Sequence, residues 1–246
     1  MPNELITASS RELATELTAY DEKMLSVFEY LGLPTNNILV KVDERRRVFK
    51  NIEDVLEPLS SETLETSTYI SKFLSAVSAG LFDAALNYLW DETVSQLRFR
   101  VSQYDIQYFF DLAVTSDKRT KLSTEDDLVK IDDSELIQGA KEIGLISDIG
   151  YRLLDNIKFM RNWASAAHPN QVELTGLQLI DWLETCIKEV ISLPLSNLTI
   201  QIGKLLRNIK ANTLDEAEAE TISNFFCELT SEKANSLCNG FLFIVG

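Results

Sequence analysis

The chain's single histidine, His168, lies seven positions after Arg161 in the stretch RNWASAAHPN, and the polar Asn162 follows the arginine directly. Histidine moves protons near neutral pH because its unperturbed pKa is about 6.5. Arginine stays charged, and its planar fork binds two oxygens of one phosphate. The pair suits a reaction that needs only proton transfer and charge stabilisation at phosphorus. RNA is such a substrate, because the ribose 2′-OH is a built-in nucleophile and strand scission then requires no metal. A lone histidine argues against a multi-histidine metal centre. The cysteines, Cys186, Cys227 and Cys238, are odd in number and lack CxxC spacing, so neither a disulfide framework nor a zinc site is expected. They read as reduced and mostly buried thiols, and no metal or cofactor is assigned.

The element that must position these residues is a helix over about 146–168, ended by Pro169, which turns the preceding residue away from helical geometry. A step of seven residues brings the helix back to nearly the same line, about 10 Å further along its axis. Arg161 and His168 then share a face, with Lys158 and Ser165 beside it as substrate contacts. Leu153, Ile157, Met160, Trp163, Ala164 and Ala167 form the neighbouring apolar arc and are expected to be core, so the pair should border the core. A helix C-terminus favours the protonated form of His168, hence a general acid. Spacing alone is a weak signal, since an arginine falls this close to a sole histidine by chance about one time in ten. A histidine that merely caps a helix end is the ordinary alternative.

The stretch RNWASAAHPN, preceded by GLISDIGYRLLDNIKFM, resembles the signature of the HEPN superfamily, in which an arginine followed by a polar residue stands shortly before a histidine. The resemblance is sharp over about residues 133–190 and looser over 60–193. It implies an all-α, HEPN-like helical bundle, with extra N-terminal helices and a small C-terminal extension. It also implies a dimer in which two Arg161/His168 pairs form a composite site and Asn162 orients each pair. The activity implied is metal-independent RNA cleavage in toxin–antitoxin, phage-defence or RNA-processing settings.

The rest of the chain supports an all-α class. Nine glycines and five prolines in 246 residues, with apolar residues recurring at three and four, point to helices almost throughout. Helices are expected over about 11–31, capped by Ser10, and over 43–56, with 38–42 either a strand or helical turns. A long helix over 60–80 should be capped by Ser60 or Ser61 and closed by Gly80. Another covers 81–101, and a short aromatic one follows over 104–114. A polar connection over 116–127 leads to a helix over 132–145, capped by Asp133 or Ser134. Thr175 and Gln178 form a capping box for a helix ended by Pro194. The C-terminal residues read as helices ending in a strand-like CNGFLFIVG, as if a further domain began there. The expected divisions are an N-terminal segment 1–59, a core 60–193 and a C-terminal part 194–246.

A formal charge of −15 opposes general coating of nucleic acid, leaving a selective grip through a local patch. Three basic clusters are candidates for phosphate contact: Arg45, Arg46, Arg47 and Lys50; Arg98 and Arg100; and Lys118, Arg119 and Lys121. Such runs are more often solvated helix faces. Glu125, Asp126 and Asp127 are more simply a solvated loop than a Mg²⁺ site. The aromatics of NYLW and QYDIQYFF are core before they are base-stacking platforms. No apolar run spans a membrane and no leader is visible, so the expected location is cytoplasmic. An antitoxin or regulatory partner would restrain the nuclease; two other readings stay open, a non-catalytic helical module that dimerises or binds a partner, and an RNA- or nucleotide-sensing domain.

Overall fold

The computed structural model describes residues 10–164 and 173–192, which form ten α-helices and no strand. The chain is all-α. The expected strand-like C-terminal segment, Pro169, Pro194 and the cysteines Cys227 and Cys238 lie outside the described residues. No described helix is long and apolar enough to cross a membrane.

In order, the helices are α1 (Ser10–Tyr30), α2 (Val42–Leu56), α3 (Ser61–Thr66), α4 (Thr68–Ser78), α5 (Phe82–Ser102) and α6 (Ile106–Ala113). They continue with α7 (Ser116–Arg119), α8 (Asp133–Glu142), α9 (Asp148–Trp163) and α10 (Gly176–Cys186). A 3-10 turn, Glu125–Lys130, precedes α8, and a π turn, Ile187–Ile191, extends α10. The described residues divide into two units, one of 10–93 with 156–192 and one of 94–155, so the division falls inside α5 and inside α9.

In the first unit, α2 packs against α10, α1 and α4. Its apolar face, Val48, Ile52 and Val55, is buried, as are Phe73 and Val77 of α4, Phe82, Leu86, Leu89 and Trp90 of α5, and Leu179 and Leu183 of α10. Each such side chain contributes about 1.5–3 kcal/mol on burial. Gly176 permits the close approach of α10 to α2: a Cβ there would lie 2.0 Å from the Glu44 carbonyl oxygen. Its N–H donates to the Glu44 carboxylate at 2.8 Å. Cys186 is buried in the same unit, and desolvation pushes its thiol up to about 12, offset in part by the Thr93 hydroxyl.

Local signals set most helix ends. Ser60 accepts from the Thr63 N–H, and Thr175 and Gln178 form the expected box. Gly80 takes a left-handed φ of 72° that a side chain would strain, and its carbonyl accepts from Val40 N–H at 2.9 Å. The single helix expected over 60–80 is instead two, α3 and α4, parted at Ser67 (φ −75°, ψ 79°). Ser67 is buried and its hydroxyl meets the Glu92 carboxylate at 3.2 Å, a tertiary bond that replaces helix continuity. Residues 38–41 form neither strand nor helix. The cap of α8 is Asp132 rather than Asp133 or Ser134.

In the second unit, α6 packs on α8 across Gly139, where a Cβ would fall 2.6 Å from that of Ala113. Asp105 caps α6 through the N–H groups of Gln107 and Tyr108, both at 3.0 Å. The expected polar connection over 116–127 is more ordered than its composition suggests, because Arg119 of α7 reaches Asp111 at 2.5 Å and Gln107 Oε1 at 2.8 Å.

Candidate functional site

Helix α9 carries the arginine of the motif. Its first turn is fixed by Ser147, whose hydroxyl accepts from Gly150 N–H at 2.9 Å. Gly150, Leu154 and Ile157 are buried and repeat at the four- and three-residue steps that keep one helix line. Arg161 stands on that same line, four residues on. The expected core arc is therefore displaced: Ile157 is core, but Leu153 and Trp163 are 42% and 37% exposed. Arg161, at the end of that line, is half-buried.

That placement brings the guanidinium to α5. Arg161 Nε donates to Asn87 Oδ1 at 2.8 Å, and Nη1 donates to Asn162 Oδ1 at 3.2 Å. Asn87 in turn donates from Nδ2 to the Asp83 carbonyl at 2.9 Å. Among the described residues, both hydrogen-bond partners of Arg161 are neutral amides and no carboxylate pairs with it. Nothing in the sequence near Asn87 marks it, since it lies 74 residues before the arginine it meets. Lys158, one turn before Arg161, is half-buried, and Asn162 is exposed. Ser165 and His168 lie outside the described residues. Helix α9 is described as far as Trp163, short of the end expected at His168.

Several cations of the other basic clusters are paired elsewhere. Arg45 is fully buried, pairs through both Nη groups with the Asp21 carboxylate and donates to the Ser78 carbonyl at 2.9 Å. Arg46 pairs with Asp43 at 3.0 Å and Arg47 with Glu44 at 2.9 Å. Lys118 pairs with Glu135, and Arg119 with Asp111. Arg100 is buried, and desolvation lowers its pKa. Within the acidic triplet, Asp127 accepts from the N–H groups of Ser123 and Thr124 at 2.7 and 2.9 Å and pairs with Lys130. The Lys130 contact and those two N–H donors hold its carboxyl well below the ordinary carboxylate range. Among the described residues no group of three or more His, Cys, Asp or Glu side chains is placed to hold a metal ion. Trp90, Tyr104, Tyr108, Phe109 and Phe110 are all buried and offer no stacking platform.

No family model, curated protein or solved structure matches this chain.

Proposed function

We propose that this chain is a HEPN-type, metal-independent endoribonuclease that acts as a homodimer on RNA, in a toxin or phage-defence setting and under an antitoxin or similar regulatory partner. The observation that carries the reading is the electrostatic state of Arg161. In a chain of net charge −15, Arg45, Arg46, Arg47 and Arg119 are each paired with a carboxylate, whereas Arg161 is held by two amides. Its full charge and part of its donor fork stay available for a phosphate. In the reaction, the 2′-oxygen attacks phosphorus as its proton is removed, and the 5′-oxygen leaves as it gains one. His168 moves these protons, Arg161 stabilises the phosphorane, Asn162 orients the fork, and Lys158 and Ser165 contact the strand. The products are a 2′,3′-cyclic phosphate and a 5′-hydroxyl. The test is digestion of RNA in EDTA with end-group analysis: cleavage should produce cyclic phosphate ends, and His168→Ala should lower the rate by about 100- to 10,000-fold. Full activity in that variant would sink the reading.

A second reading, a non-catalytic dimerisation module, is favoured by the outer face of α9. Ile149, Leu153 and Phe159 are 72%, 42% and 51% exposed, and Phe159 stacks on Trp163 with ring centroids 5.6 Å apart. Expression in cells separates the two readings. A nuclease is toxic and Arg161→Ala relieves the toxicity, while a scaffold is harmless in both forms.

A further inference from the structure

We infer that Asn87 is a positioning residue for Arg161, fixing which edge of the guanidinium meets the scissile phosphate. This rests on the nuclease reading.

An asparagine side chain has one acceptor end and one donor end. In Asn87 both are engaged: Nδ2 donates to the Asp83 carbonyl at 2.9 Å, and Oδ1 accepts from Arg161 Nε at 2.8 Å. The reverse orientation fails on both sides, setting an NH₂ against the Arg161 N–H and an oxygen against a carbonyl. The backbone of α5 thus fixes the amide, and the amide fixes the arginine. With Nε held and Nη1 steadied by Asn162 at 3.2 Å, the fork cannot turn about its Cδ–Nε bond without losing a hydrogen bond, and the remaining Nη donors are left for a phosphate. An amide does this without neutralising the arginine. A carboxylate at the same position would still accept from Nε, though its second oxygen would face the Asp83 carbonyl, and it would cancel the charge the reaction uses. Asn87 needs no contact with substrate; it acts through the orientation of Arg161 in the transition state.

The experiment compares the full wild-type chain with Arg161→Ala, Asn87→Ala and Asn87→Asp. Each is tested on a 5′-labelled, random-sequence single-stranded RNA pool in EDTA, with initial rates taken over a range of RNA concentrations and below the melting temperature of every variant. Asn87→Ala should lower the apparent kcat about 10- to 100-fold with KM nearly unchanged, because the charge stays but its geometry is lost. Asn87→Asp keeps an acceptor for Nε and adds a negative charge, so its KM should rise. The Arg161 side-chain Nε–H signal, assigned by its loss in Arg161→Ala, should be protected from exchange in wild type and Asn87→Asp and unprotected in Asn87→Ala. Asn87→Ala that cuts at the wild-type rate, in a system where Arg161→Ala does not cut, overturns the role of Asn87 alone. Wild type that does not cut, or Arg161→Ala that cuts normally, overturns the nuclease reading and the role of Asn87 with it.

Discussion

Arginine is used in two opposite ways in this molecule, and the difference lies in what each guanidinium touches. Arg45 is fully buried against Asp21, which is 18% exposed, and against the Ser78 carbonyl. A buried pair of this kind adds little over a well-packed apolar pair, but removing one partner leaves the other charged and desolvated. Asp21→Ala is therefore expected to cost about 3 kcal/mol, the lower end for a buried pair because Asp21 keeps some solvent, read as a lowered urea midpoint with an unchanged slope. An unchanged midpoint would show that Arg45 finds another acceptor. Arg161 is the contrary case, half-buried and held by amides, so that truncating Asn87 is expected to reach activity before stability.

At the scale of the helix, the α3–α4 break shows where local reading stops. Ser67 leaves helical geometry at ψ 79° and its hydroxyl reaches Glu92, 25 residues away. Ser67→Ala removes that contact from a buried carboxylate and should cost about 1–3 kcal/mol, seen as a fall in Tm. A stability gain would mean that continuous helix is preferred there. Caps and glycine stops that act within one turn, such as Ser60, Thr175 with Gln178, and Gly80, are legible in the sequence because cause and effect are a few residues apart. The break at Ser67 is not, since its cause sits on another helix. The buried face of α9 is ambiguous for a related reason: Gly150, Leu154 and Ile157 on one side compete with Leu153, Met160 and Trp163 on the other, and only tertiary packing decides. Arg161 and Asn162 can be picked out by residue type and spacing, whereas Asn87 becomes visible only when α5 and α9 are assembled.

For the whole molecule, the nuclease reading raises the question of how an acidic protein would hold a polyanion. With most of its clustered cations paired internally, the described surface offers few groups for phosphate, and a net charge of −15 repels the strand. Each neutralised phosphate on a single strand contributes about −0.7 to the slope of log affinity against log salt. One or two arginine contacts per strand predict a slope of about −0.7 to −1.4, flattened further because salt also screens the repulsion. Fluorescence anisotropy with 2′-O-methyl RNA, which keeps the phosphates but lacks the nucleophile, measures it. A slope near −5 would place a broad basic surface elsewhere in the chain and remove the argument for a selective grip.

The 74 residues between Asn87 and Arg161 also set a clock. At about 5–20 residues per second, a ribosome needs roughly 4–15 s to make that stretch, so α5 leaves the exit tunnel well before the arginine it must hold. Seating of Arg161 is thus a late event of synthesis, and a chain interrupted before α9 carries the amide without its arginine. Under the nuclease reading proposed above, the arginine edge would be assembled only after translation has passed α9.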